Sequence, residues 1–308
     1  MSRKIRVVIR LAGINTFSTS RRGNVQGDEL IARGLEKYLQ RHPRVDWARC
    51  IGPSDRVPAR ADAVIHFNPF LDVTTGVKNI LYLQNAFPKE AYPGGTVGVF
   101  ESVRSRYDGF IFTSERLMKC CAPGAVIPFA TDPEVFQPKY EPRLEHAVTF
   151  VGNNIRKARV NNRYFSPAIQ FGLVIYGNEI GWPDPFYDCC RGKLPMADLP
   201  SLYSSCKINL NAHIAEHVEM DTVNLRLFDI LACGGFVMSD RIASLESFFE
   251  DSVPATEGGE DLWAQLVLFL SDTAERQRRS VLGRKVVMRS HTYAHRIETL
   301  MNFFDDTL

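Results

Sequence analysis

The chain has 308 residues, a length that suits two α/β domains of about 150 residues each. Its composition, 45% hydrophobic and 23% charged, is that of an ordinary soluble protein. No apolar run approaches the ~20 residues of a membrane span and no signal-peptide core follows Met1, so a cytoplasmic protein is expected. The seven cysteines are odd in number and contain no C-x-x-C pair, which excludes a disulfide framework and a zinc site of that type.

Net charge is +2, unevenly spread: residues 1–60 hold 13 Lys and Arg against 5 Asp and Glu. Such an excess suits an acidic or lipid-phosphate-linked acceptor, or peripheral contact with an anionic membrane. Solvated helix faces around Arg33, Lys37, Arg41 and Arg44 explain it equally well. Aromatic and basic residues are not interleaved as a nucleic-acid surface would require.

In chain order, "KIRVVIRLAG" (4–13) predicts a strand, followed by a loop rich in Gly, Ser and Arg over 13–24. "DELIARGLEKYLQ" then places Leu30, Ile31, Gly34, Leu35, Tyr38 and Leu39 on one side of a helix. Short apolar runs follow at "ADAVIHF", "NILYLQN", "DGFIFTS" and "GAVIPFA". Strands separated by helical segments imply βαβ units and a parallel sheet. The proline-rich stretch 131–143 interrupts the pattern and is taken as a linker. Beyond it the pattern restarts with "HAVTFVGN", "LVIYGN", "KINLNAH" and "GFVMSD" as strands, and with helices to the end. The fold class expected is therefore α/β, with two Rossmann-like parallel-sheet domains facing each other across a cleft. Ligands of such folds bind at the carboxyl ends of the strands.

The second half concentrates polar residues at those ends. One strand runs into Gly152, Asn153, Arg156 and Lys157, another into Tyr176 and Gly177, and a third into Asn211 and His213. A short helix then carries a ladder of Asn224, Arg226 and Asp229. Glycines let a phosphate approach the backbone, and a helix N-terminus offers free N–H groups and a favourable dipole. Arg156 and Lys157 suit a diphosphate, and Asp229 suits a ribose diol. Together they point to a nucleotide diphosphate.

"VIPFATDPEVFQP", "FVGNNIRKAR", "VIYGNEIGW", "LPSLYSSCKINLNAH", "NLRLFDILACGGFVMSD" and "HTYAHRIETL" occur in that order. Over about residues 100–308 the chain resembles the glycosyltransferase-like family that includes the spore-maturation-type proteins, a branch of the GT-B glycosyltransferases. The resemblance implies domains at 1–135 (acceptor) and 143–285 (nucleotide-sugar donor), with a terminal helix at 286–308 packing across their junction. Retaining relatives carry two acids separated by seven residues. Asp221 and Asp229 have that spacing here, with Asp in place of Glu at both. The resemblance implies that Asp229 holds the ribose, that Asp221 lies nearer the sugar and phosphates, that Asn224 contacts the diphosphate, and that Tyr176, Gly177 and Leu194 lie near the base.

The expected activity is metal-independent transfer of a sugar from a nucleotide diphosphate sugar, with no cofactor. Asp-x-Asp, the mark of the metal-dependent GT-A class, is absent from the sequence. An inverting enzyme needs a base in the first domain, for which Asp28, Glu29, His66 and Glu101 are candidates; a retaining one does not. His291 and His295 stand at metal-binding spacing, but no third ligand is near in sequence. A nucleotide-sugar epimerase and a non-catalytic assembly protein are the alternative readings.

Overall fold

The computed structural model describes residues 3–13, 27–154, 158–178 and 181–308, without the side chains of 158–163. Two parallel sheets organise them. The first contains β1 (Ile5–Arg10), β2 (Val45–Ile51), β3 (Ala63–His66), β4 (Lys78–Leu83), β5 (Gly109–Phe112) and β6 (Ala125–Val126), in the order β2-β1-β3-β4-β5-β6. The second contains β7 (Val148–Val151), β8 (Leu173–Tyr176), β9 (Ile208–Asn211), β10 (Val237–Asp240) and β11 (Ala255–Thr256), in the order β11-β10-β9-β7-β8. Counted from its own first strand, each sheet runs 2-1-3-4-5, and the first continues to a sixth strand. The strand order therefore reverses between β1 and β3 in one sheet, and between β7 and β9 in the other. Those reversals open the crevices in which doubly wound sheets hold ligands.

Continuous apolar runs form the central strands because helices cover both faces of a parallel sheet. Val7, Val8 and Ile9 of β1 are all fully buried. The edge strand β2 was not expected from the sequence. It alternates buried Val45, Ala48 and Ile51 with Asp46, Arg49 and Cys50, so it lacks the apolar run that marks the interior strands. The helix Gly27–Arg41 buries Ile31, Ala32, Gly34, Leu35 and Leu39. Among the described residues no helix is long and apolar enough to cross a membrane.

The chain passes from the first sheet to the second after β6, and its C-terminal helix (Tyr293–Thr307) returns to the first. At the crossing, the Thr131 N–H donates to the His291 carbonyl and the Tyr293 N–H to the Thr131 carbonyl, both at 3.1 Å. Arg296 reinforces this point. Its guanidinium donates to the carbonyls of Pro128 (2.8 Å), Phe129 (2.9 Å) and Ser290 (3.1 Å). Burial lowers its pKa to about 10, and the carbonyls supply the partners that a buried cation requires.

The C-terminal helix fits because Gly34 leaves room for it. A Cβ at that position would lie 2.3 Å from the Tyr293 ring. Gly34→Ala is expected to cost about 1–3 kcal/mol through overpacking, seen as a lower urea midpoint. Gly172→Ala, with nothing near the added methyl but a left-handed φ of +74°, controls for backbone strain alone.

Candidate active site

The crevice of the second sheet depends on a close approach of two strand ends. The Gly152 N–H donates to the Tyr176 carbonyl at 2.8 Å. A Cβ on Gly177 would lie 2.1 Å from the Gly152 carbonyl oxygen, and one on Gly152 would lie 2.8 Å from an Arg226 nitrogen. Neither position has space for a side chain. Beside them, the Asn153 side-chain oxygen accepts from the Asn178 N–H at 2.8 Å.

The cleft helix (Leu225–Ala232) starts at this point, with Asn224 as its N-cap. Arg226, half-buried, lays its guanidinium over the Phe150 ring, 4.8 Å from the ring centre. It donates to the Asn211 side-chain oxygen at 2.8 Å. Withdrawal from water lowers its pKa, opposed by Tyr203, Asp240 and Asp229. It makes no ion pair with a carboxylate among the described residues, so its charge is directed at the cleft.

One turn further on, Asp229 is buried and accepts from the Thr131 hydroxyl at 2.8 Å. Burial raises its pKa well above the usual carboxylate range. Asp132 adds to the rise, while Thr131 and Arg226 oppose it.

Arg226 and Asp229 help line a cleft of about 400 Å³ between the two sheets. Of the residues expected from the sequence, Asp28, Gly152, Asn153, Tyr176, Gly177, Leu194, Asn224, Arg226 and Asp229 line it. Arg156, Lys157 and the loop 14–26 lie outside the described residues. Asp28 reaches the cleft from the first sheet's side, at the start of the helix Gly27–Arg41. Burial raises its pKa, and the Gln84 and Asn85 amides work against the rise.

The other expected residues point elsewhere. Glu29 is buried on the helix's inner face, and Asn211 is buried beneath Arg226. His213 is fully buried behind the cleft, with Nδ1 2.6 Å from Asp240 and Nε2 accepting from the Asn224 N–H at 3.2 Å. Asp221 adopts a left-handed conformation at φ +55° and accepts from the Ser244 N–H and hydroxyl at 2.9 and 3.0 Å. Its carboxylate thus braces the turn ahead of the helix Leu245–Phe249. His66 is buried against Asn79, its pKa lowered by burial to about 4. Glu101 is exposed and pairs with Arg104.

Sequence reasoning passed over Gln84, Asn85, Phe136, Tyr203 and Ile214, which also line the cleft. For Gln84 and Asn85 the signal was present: two amides follow an apolar strand, the pattern that marked the strand ends of the second sheet.

Comparison with solved structures shows what this architecture is. Sucrose-phosphate synthase from Thermosynechococcus elongatus superposes over 98% of this chain and 99% of that one, with 12% identity and a TM-score of 0.73. The chain has the GT-B fold. A glycosyltransferase involved in avilamycin A biosynthesis matches over 98% of both chains, with 14% identity and a TM-score of 0.64. S. aureus TarM, solved in complex with fondaparinux, α-GlcNAc-glycerol and UDP, matches over 79% of this chain and 55% of its own, with 11% identity and a TM-score of 0.56. Residues 156–302 match the model of a family described as glycosyl transferase-like, a span that contains the second sheet from β8 onward and the cleft helix. No curated protein matches the chain.

The raised pKa of Asp229 has a stability consequence. The folded protein holds this proton at pH values where the unfolded chain has released it, so the associated stability is lost as pH rises through that window. Asp229→Asn is therefore expected to raise the melting temperature of the ligand-free protein at about pH 8. The gain should disappear towards about pH 4, near the unfolded pKa; scanning calorimetry at the two pH values checks it.

Proposed function

We propose that this protein is a glycosyltransferase that moves a sugar from a nucleoside diphosphate sugar to an acceptor hydroxyl. On the run from Asn224 to Asp240 we assign it to the spore-maturation-type branch. The observation that carries the reading is the opposition across one cleft of Arg226, backed by a helix N-terminus, and Asp28.

In this reading the base lies by Tyr176, Gly177 and Leu194, and the ribose hydroxyls donate to Asp229. The diphosphate sits against Arg226 and the first N–H groups of the cleft helix. These groups stabilise the charge that develops on the leaving diphosphate, so no metal is needed there. The acceptor oxygen bonds to the anomeric carbon. The bond from that carbon to the diphosphate breaks, and its electron pair leaves with the diphosphate. The acceptor's proton passes to Asp28. A carboxyl whose pKa is raised by burial is suited to this exchange, because a base works best near the operating pH.

Titration with nucleoside diphosphates, beginning with UDP (the nucleotide in the S. aureus TarM complex), tests the donor site. One nucleotide is expected to bind, and Arg226→Met should weaken it roughly 10- to 100-fold, the weight of a charge-assisted hydrogen bond. Binding of no nucleoside diphosphate would sink the reading.

Asp28→Asn is expected to lower turnover by about 10²- to 10⁴-fold, the contribution of a positioned base. In the wild type the base is active when ionised, so activity should rise with pH through the raised Asp28 pKa. That acid limb should disappear in the variant's pH–rate profile.

A further inference from the structure

The first sheet's wall of the cleft carries a buried donor without a well-formed hydrogen bond. Gln84, at the end of β4, is 5% exposed and lines the cleft; its side-chain amide faces the Asp28 carboxyl, yet Nε2 closes no hydrogen bond to it or to any other described acceptor. The neighbouring amide, Asn85, donates to the Phe67 carbonyl at 3.1 Å. A buried N–H without an acceptor costs about 1–3 kcal/mol, so Gln84 is arranged for an oxygen that arrives with a ligand. The carboxyl of Asp28 faces the same amides.

An N–H donor beside a carboxylate is the complement of a hydroxyl group, whose oxygen accepts from the amide while its proton is given to the acid. A phosphate oxygen would satisfy Gln84 but bring like charge against Asp28. An ammonium group would satisfy Asp28 but has no lone pair for Gln84.

The basic excess of the first 60 residues offers little to an anion on the helix Gly27–Arg41. Arg33 pairs with Glu36 at 2.8 Å, and Lys37 with Asp132 and Glu134 at 2.6 and 2.9 Å. Arg41 pairs with Glu134 at 2.5 Å, and Arg44, just beyond the helix, with Asp305. Those cations are already matched by acids of the same chain.

We infer that the acceptor is a neutral sugar, one of whose hydroxyls is clamped between Gln84 and Asp28, and that Gln84 sets this selectivity. The inference rests on the glycosyltransferase reading. It differs from the acidic or lipid-phosphate acceptor to which the charge distribution alone pointed.

The test uses the full chain saturated with whichever nucleoside diphosphate it binds. Methyl α-glucoside, methyl α-galactoside and methyl α-mannoside are offered in one arm, with glycerol 1-phosphate and phosphatidylglycerol vesicles in the other. Saturation-transfer NMR reads the small probes and co-sedimentation reads the vesicles. At least one methyl glycoside is expected to bind, about five- to tenfold more weakly in Gln84→Met and Gln84→Glu, while nucleoside diphosphate affinity holds and shows that both variants are folded. Binding of glycerol phosphate or vesicles in place of the glycosides overturns the inference, as does glycoside binding that ignores both substitutions, or binding of no probe. Failure to bind any nucleoside diphosphate is a different result, and it removes the transferase reading together with this one.

Discussion

Arg226 is held where the strand order of the second sheet reverses, with its guanidinium on the Phe150 ring and one donor on Asn211. A cation drawn partly out of water is tolerated only if its donors are met. The ring face and the single amide meet part of that need and leave the remainder directed at the cleft. Both glycines at the strand ends follow from this placement. A side chain at Gly152 would strike the guanidinium, and one at Gly177 would strike the Gly152 carbonyl. Three residues further along the same helix face, Asp229 is buried, and desolvation raises its pKa. The cleft thus carries a cation and a buried acid that form no ion pair with each other. A ligand with an anionic group and a diol would meet both, which is the ground on which we propose a nucleoside diphosphate sugar as the donor.

The opposite wall is tied to the second sheet where the chain crosses between the two. Arg296 ties the C-terminal helix to the carbonyls of the segment leaving β6, and the Tyr293 ring packs on Gly34 of the helix that begins at Asp28's end of the cleft. The helix that packs against Tyr293 therefore also presents Asp28 to the cleft. On the far side the two halves also touch. The hydroxyls of Thr113 and Thr222 lie 2.9 Å apart, and Lys89 pairs with Glu219 at 2.7 Å. These contacts are small beside those at the crossing, and the exposed ion pair contributes on the order of 1 kcal/mol or less.

Behind the cleft, several polar residues serve geometry. The imidazole of His213, held by Asp240, accepts the N–H of Asn224 and so fixes the start of the cleft helix. Asp221 holds Ser244. Both lie close to the cleft in sequence and yet are turned away from it. Proximity along the chain to a ligand-facing residue is a poor guide to which way a side chain points.

By itself the sequence determined the layered α/β architecture, since parallel strands covered on both faces must be written as apolar runs. It also determined where the second sheet's cleft would lie, because Gly152, Gly177, Arg226 and Asp229 follow directly from strand ends and a helix start. The edge strand β2 stayed hidden, as its outward face is polar and its pattern lacks an apolar run. Only the tertiary structure decided between Asp28 and Glu29, adjacent residues set about 100° apart on one helix, of which one faces the cleft and the other the core. It also decided that Arg41 and Arg44 meet Glu134 and Asp305, acids 93 and 261 positions away. Local spacing determines which residues share a face of an element. What that face meets depends on elements brought together from distant parts of the chain.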